Sequence, residues 1–122
     1  MSIILLIDDN ERIIRTINRR LKKEGYEIHT GQNGSEGVEK AFEIKPDLIL
    51  MDMHMPVMDG YTAVQMLREK GYTGKISAFT ASAATNDIPK AIEAGCDFHI
   101  TKPIDTDVEE KIRNILKEGK DG

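Results

Sequence analysis

The chain has 122 residues, 39% hydrophobic and 31% charged, with 17 basic against 21 acidic side chains and a net charge of −4 at pH 7. That is the size of one domain with a real core, and the mild acidity gives no reason to expect direct nucleic-acid binding or insertion into a membrane. No apolar run is long enough to span a bilayer, no leader-like segment opens the chain, and the lone Cys96 excludes an internal disulfide, so a cytoplasmic setting is expected.

Short apolar runs alternate with amphipathic stretches. Ile3 to Ile7 reads as a strand ending in two acids, Asp8 and Asp9. Ile13, Ile14, Ile17 and Leu21 recur at helical spacing, and Gly25 stops that helix. Tyr26 to Thr30 is a more polar strand, expected at a sheet edge, and residues 31–34 form a loop. Val38, Ala41 and Phe42 mark a second helix, broken before Pro46. Leu48, Ile49, Leu50 and Met51 then run unbroken into Asp52, the pattern of a strand buried on both faces. Pro56, Asp59 and Gly60 signal a loop and turn. The next helix, marked by Ala63, Val64 and Leu67, starts too far on for Asp52 to cap it, and Asp59 is the better cap. Ile76 to Phe79 is a fourth strand, ending at Thr80. Ile88, Ala91 and Ile92 mark a fourth helix, in which Pro89 fits only the first turn. Phe98 to Ile100 is a fifth strand, ending near Thr101 and Lys102, and Val108, Ile112, Ile115 and Leu116 mark the last helix. Cys96 and Met51 are expected to fill core.

Five strands alternating with five helices predict an α/β fold with a doubly wound parallel sheet. A weak second strand at the edge favours the order 2-1-3-4-5, in which strands one and three flank the switch point. Their carboxyl ends carry Asp8, Asp9 and Asp52. Two carboxylates about 4 Å apart repel by on the order of 4 kcal/mol at an effective dielectric of about 20. A hard divalent cation such as Mg²⁺ would relieve this. The turn IDDNER has no glycine-rich phosphate cradle, which argues against nucleotide binding. Thr80, a hydroxyl donor, and Lys102, a mobile point charge, end two other strands. Any one of these residues alone is a weak signal. Together they suit a transferred phosphoryl group, with a strand-end carboxylate as nucleophile.

The segments LLIDDN (5–10), LILMDMHMPVMDG (48–60), AFTAS (78–82) and ITKPID (100–105) closely resemble the two-component response-regulator receiver domain, over essentially the whole chain. The resemblance implies a flavodoxin-like receiver fold and a phosphoacceptor switch. Asp52 would accept a phosphoryl group from a phosphohistidine on a histidine kinase or phosphotransfer protein and later lose it by self-catalysed hydrolysis. Asp9, Asp52 and the backbone carbonyl of His54 would ligate Mg²⁺ (or Mn²⁺), with Asp8 acting mainly through water. Lys102 would pair with the phosphoryl oxygens, aimed by a cis peptide before Pro103. Thr80 would swing toward the new charge, freeing space for the side chain at position 99 to turn inward. The changed surface would be the fourth helix, fifth strand and fifth helix, read by an unknown downstream protein.

Two positions depart from the commonest family pattern. Where a Tyr or Phe usually serves as the switch, this chain has His99, whose polar ring needs a hydrogen-bond partner when turned inward. That raises the idea of a switch sensitive to pH between about 5 and 8. His54, two residues past Asp52, is expected to tune the phosphoryl lifetime together with Ser82. The rival readings fit less well. A haloacid-dehalogenase-type phosphatase needs a second Asp where His54 stands, and a flavodoxin-like carrier needs a hydroxyl- and glycine-rich loop where this chain has acids. A phosphorylation-independent pseudo-receiver is the alternative kept open by His99. Residues 1–122 are expected to form one domain, a core over 1–117 and a frayed tail over 118–122, without an output domain. The domain would be stand-alone or cut from a hybrid histidine kinase.

Overall fold

The computed structural model describes residues 2–55, 57–80, 87–101 and 107–118. In chain order the elements are β1 (Ile3–Ile7), α1 (Glu11–Lys23), β2 (Glu27–Gly31), α2 (Gly34–Ile44), β3 (Leu48–Asp52), α3 (Gly60–Glu69), β4 (Lys75–Thr80), α4 (Asp87–Ala94), β5 (Phe98–Thr101) and α5 (Val108–Lys117). The strands form one sheet in the order β2-β1-β3-β4-β5, and every neighbouring pair is parallel. This is the expected topology, with the polar β2 at an edge.

The pleat sends alternate side chains to opposite faces, so each central strand feeds two cores. Leu48 and Leu50 of β3 join Ile4, Leu6, Phe79 and Ile100 on one face, where α1 and α5 cover them with Ile17, Leu21, Val108, Ile112 and Ile115. Ile49 and Met51 join Leu5, Ile7, Ile76 and Ala78 on the other, under Val38, Ala41, Ala63, Val64 and Leu67. All five residues of β3 are buried, Asp52 included. The unbroken apolar run is therefore the two-faced strand that its sequence predicts.

Polar groups fix the helix ends. The Asn10 side chain accepts from the backbone N–H groups of Arg12 (3.0 Å) and Ile13 (3.3 Å), which starts α1. Asp59 accepts from the Thr62 N–H at 2.8 Å and caps α3, as expected. Pro89 is the third residue of α4, within its first turn. At the amino ends of the strands the Arg68 guanidinium donates to the carbonyls of Gly95 (3.0 Å), Tyr72 (2.9 Å) and Gly74 (2.9 Å) and to Asp97 (2.9 Å). That network ties the end of α3 to the starts of β4 and β5, away from the acids.

One sequence expectation shifts, and the packing adds detail to two others. β2 starts at Glu27 rather than Tyr26 and extends through Gly31, where a Cβ would lie 2.8 Å from the Ile7 side chain, so Gly31 belongs to the ladder and not the loop. Phe42 (39% exposed) and Ile92 (54% exposed) sit on helix flanks. Helical spacing identified their helices without placing them in the core. Met53 and Met55 are buried alongside Met51, so they pack the loop after β3 onto the core. Cys96 is buried, as expected.

Candidate functional site

The register places the acids side by side. Ile7 of β1 pairs with Met51 of β3, so Asp8 and Asp52 each stand one residue past a paired position. Asp8 is fully buried, Asp52 is 5% exposed, and Asp9 lies at the surface. One carboxylate oxygen from each lies within 4.8 Å of the others. The crevice opens at the carboxyl end of the sheet, between the two strands from which the chain winds in opposite directions.

Backbone N–H groups hold the carboxylates in place. The Asn10 N–H donates to Asp8 Oδ1 at 2.9 Å, and the His54 N–H donates to Asp52 Oδ1 at 3.2 Å. The loop after β3 folds back so closely that a Cβ on Gly60 would lie 2.2 Å from the Asp52 carbonyl oxygen and 2.7 Å from Met53 Cα. The Gly60 N–H donates to the Met53 carbonyl at 3.1 Å, closing the loop over the strand end. Gly60 reads in the sequence as a turn signal. Its role is close backbone approach, with no positive φ required.

Three converging hard oxygen donors, two of them buried, are a fitting set for a divalent cation of the Mg²⁺ type. A bound cation would offset their mutual repulsion.

The other predicted site residues divide. The His54 side chain is exposed, and its ring meets the Tyr61 ring at 5.9 Å and 76°. Thr80 ends β4, its backbone in register with Thr101 of β5. The Thr80 side chain lies outside the described residues, as do Ser82, Lys102 and Pro103. His99 is exposed on β5 and lines an open groove with Ile92, Phe98, Lys111, Asn114 and Ile115. One further feature has no sequence signal. Val57, 88% exposed, holds φ at +72° in the loop beside the crevice, a conformation that a β-branched residue rarely adopts.

The model of the response regulator receiver domain family matches residues 4–116. This chain belongs to that family. Among relatives, the receiver is 43% identical over 106 residues to hybrid signal transduction histidine kinase G of Dictyostelium discoideum, covering 83% of this chain and 3% of that protein. It is 39% identical over 100 residues to the transcriptional regulatory protein ResD of Bacillus subtilis, covering 82% of this chain and 41% of the relative. The receiver thus spans less than half the length of either. Among solved structures it resembles the receiver domain of a Pseudomonas aeruginosa sensor histidine kinase with a magnesium ion coordinated in its active-site cleft, at 32% identity and TM-score 0.83, covering 95% of this chain and 94% of that one. It also resembles the response regulator TrrA of Thermotoga maritima in complex with Mg²⁺-BeF, at 30% identity and TM-score 0.83, covering 95% and 99%. Among the described residues no helix is long and apolar enough to cross a membrane.

Proposed function

We propose that this receiver is the phosphoacceptor switch of a two-component phosphorelay, with Asp52 as the acceptor. The observation that carries this reading is the acid trio: three carboxylate oxygens within 4.8 Å at the switch point of the sheet. Asp52 is the member delivered by the fully buried central strand, which makes it the most rigidly held nucleophile.

Asp9, Asp52 and the His54 carbonyl would hold Mg²⁺, with Asp8 assisting through water. Mn²⁺, which takes the same hard ligands, would substitute. The bound cation supplies positive charge that offsets the carboxylates and the phosphoryl oxygens. An Asp52 carboxylate oxygen attacks phosphorus, the new O–P bond forms, and the N–P bond of the donor phosphohistidine breaks. The released imidazole regains a proton. The His54 N–H, already directed at Asp52 Oδ1, keeps the carboxylate turned toward the crevice. Hydrolysis reverses the state: water attacks phosphorus, the P–O bond to Asp52 breaks, and the carboxylate returns with inorganic phosphate. His54 and Ser82 would set how readily that water enters. Lys102 would pair with the phosphoryl oxygens, its approach set by the peptide before Pro103, and Thr80 would close on them. The exposed position of His99 suits the resting state of a switch whose ring turns inward on phosphorylation. A histidine kinase or phosphotransfer protein is the donor, and the α4–β5–α5 face is the output surface.

The test is intact-protein mass after incubation with acetyl phosphate. The expected result is one added phosphoryl group that requires Mg²⁺ and is absent in Asp52→Asn. A folded wild-type chain that gains nothing from acetyl phosphate, from beryllofluoride or from phosphohistidine donors would leave the pseudo-receiver reading in its place.

A further inference from the structure

Beside the acid crevice, the core residue Tyr61 carries two further side chains, His54 and Lys90. Tyr61, in the first turn of α3, is 7% exposed. The imidazole of His54 packs on it at 5.9 Å and 76°. On α4, the Lys90 ammonium stands 4.6 Å from the centroid of the same ring. Lys90 makes no salt bridge among the described residues. Its described partner is the negative face of the Tyr61 ring, the geometry of a cation–π contact.

We infer that Lys90 is a positioning residue for His54, acting through Tyr61 to hold the imidazole at the mouth of the phosphoacceptor crevice. The inference rests on the proposed phosphoacceptor role of Asp52. The chain of contacts is short. The backbone of His54 is tied to Asp52 by its own N–H, and the Tyr61 ring limits the rotation of its imidazole by an aromatic contact. A cation carried on a different helix meets the same Tyr61 ring. A shift of α4 that carries Lys90 away therefore loosens the ring that steadies His54. The lifetime of the phosphoryl group and the position of α4 become linked through a side chain that touches neither the phosphoryl group nor the metal ligands.

The measurement is the first-order rate constant for phosphoryl loss, by inorganic phosphate release, after the full chain has been phosphorylated with acetyl phosphate and the donor removed. Lys90→Met, at an exposed helix position, is expected to change that rate constant about twofold or more, and Lys90→Arg to restore it, since a guanidinium also binds a ring face. Tyr61→Leu is expected to shift the rate in the same direction as Lys90→Met. In a His54→Ala background Lys90→Met is expected to have no effect, which a purely structural or long-range electrostatic role of Lys90 would not produce. A Lys90→Met chain with the wild-type rate overturns the inference. So does a Lys90→Met effect of unchanged size without His54. A wild-type chain that takes no phosphoryl group overturns instead the assignment of Asp52.

Discussion

Removing the acceptor carboxylate should stabilise the metal-free protein. Asp8, Asp9 and Asp52 bring one oxygen each within 4.8 Å, and at an effective dielectric of about 20 each pair at that separation repels by about 3.5 kcal/mol. Asp52→Asn removes two of the three pairs. It keeps the Oδ1 acceptor for the His54 N–H and adds an amide donor that faces carboxylates. Water around the exposed Asp9 and mobile counter-ions reduce the gain, which we place at about 1–3 kcal/mol at low salt. For a chain of 122 residues that corresponds to a rise in Tm of roughly 4–12 °C. Mg²⁺ should reverse the order. At a hundred times its Kd it stabilises the wild type by about 2.7 kcal/mol through mass action, while the variant, lacking one ligand, gains less. The assay is urea unfolding of both proteins in EDTA and in Mg²⁺. A variant less stable than wild type in EDTA, or an equal response of both proteins to Mg²⁺, would refute the picture of repelling metal ligands.

Val57→Gly should raise stability by about 0.5–1 kcal/mol, because it relieves a β-branched residue at φ +72° and exposes nothing new; a lower urea midpoint would contradict the strain. Gly60→Ala should cost about 2–3 kcal/mol and weaken Mg²⁺ binding, since the added Cβ would meet the Asp52 carbonyl oxygen at 2.2 Å; calorimetric titration with Mg²⁺ checks the second part. Burial pushes the Cys96 thiol from its ordinary 9.0 up to about 12 and the Tyr72 phenol from 10.0 up to about 12. The unfolded chain releases those protons first, so stability should be intact below about pH 9 and fall as pH climbs toward 12. Cys96→Ala should shift that alkaline loss to higher pH. The native thiol should resist iodoacetamide at pH 8 until the protein unfolds.

The fold was legible because its central strands are simple. A run such as Leu48–Met51 has one reading in an alternating α/β chain, and the strand order follows from the polar character of β2. The acids were legible because they end two such runs at the point where the topology reverses. What stayed hidden depends on distance through space. Nothing in the spacing of Phe42 or Ile92 says how far their helices roll toward solvent. Gly60 looks like any turn glycine until the loop is seen lying on the Asp52 carbonyl. Lys90 lies 36 positions after His54 in sequence, and only the packing of α4 against α3 brings them to one ring. The positive φ of Val57 contradicts its residue type, so sequence rules point away from it.

The most direct test of the account is chemical mapping of the phosphorylated site. Borohydride reduces an aspartyl phosphate to homoserine and leaves free carboxylates alone. After treatment with acetyl phosphate and Mg²⁺, followed by borohydride, tandem mass spectrometry of peptides covering residues 1–15 and 48–60 should place homoserine at position 52, with Asp8, Asp9 and Asp59 intact. Homoserine at position 8, 9 or 59 with Asp52 unchanged would contradict the assignment of Asp52 as the acceptor.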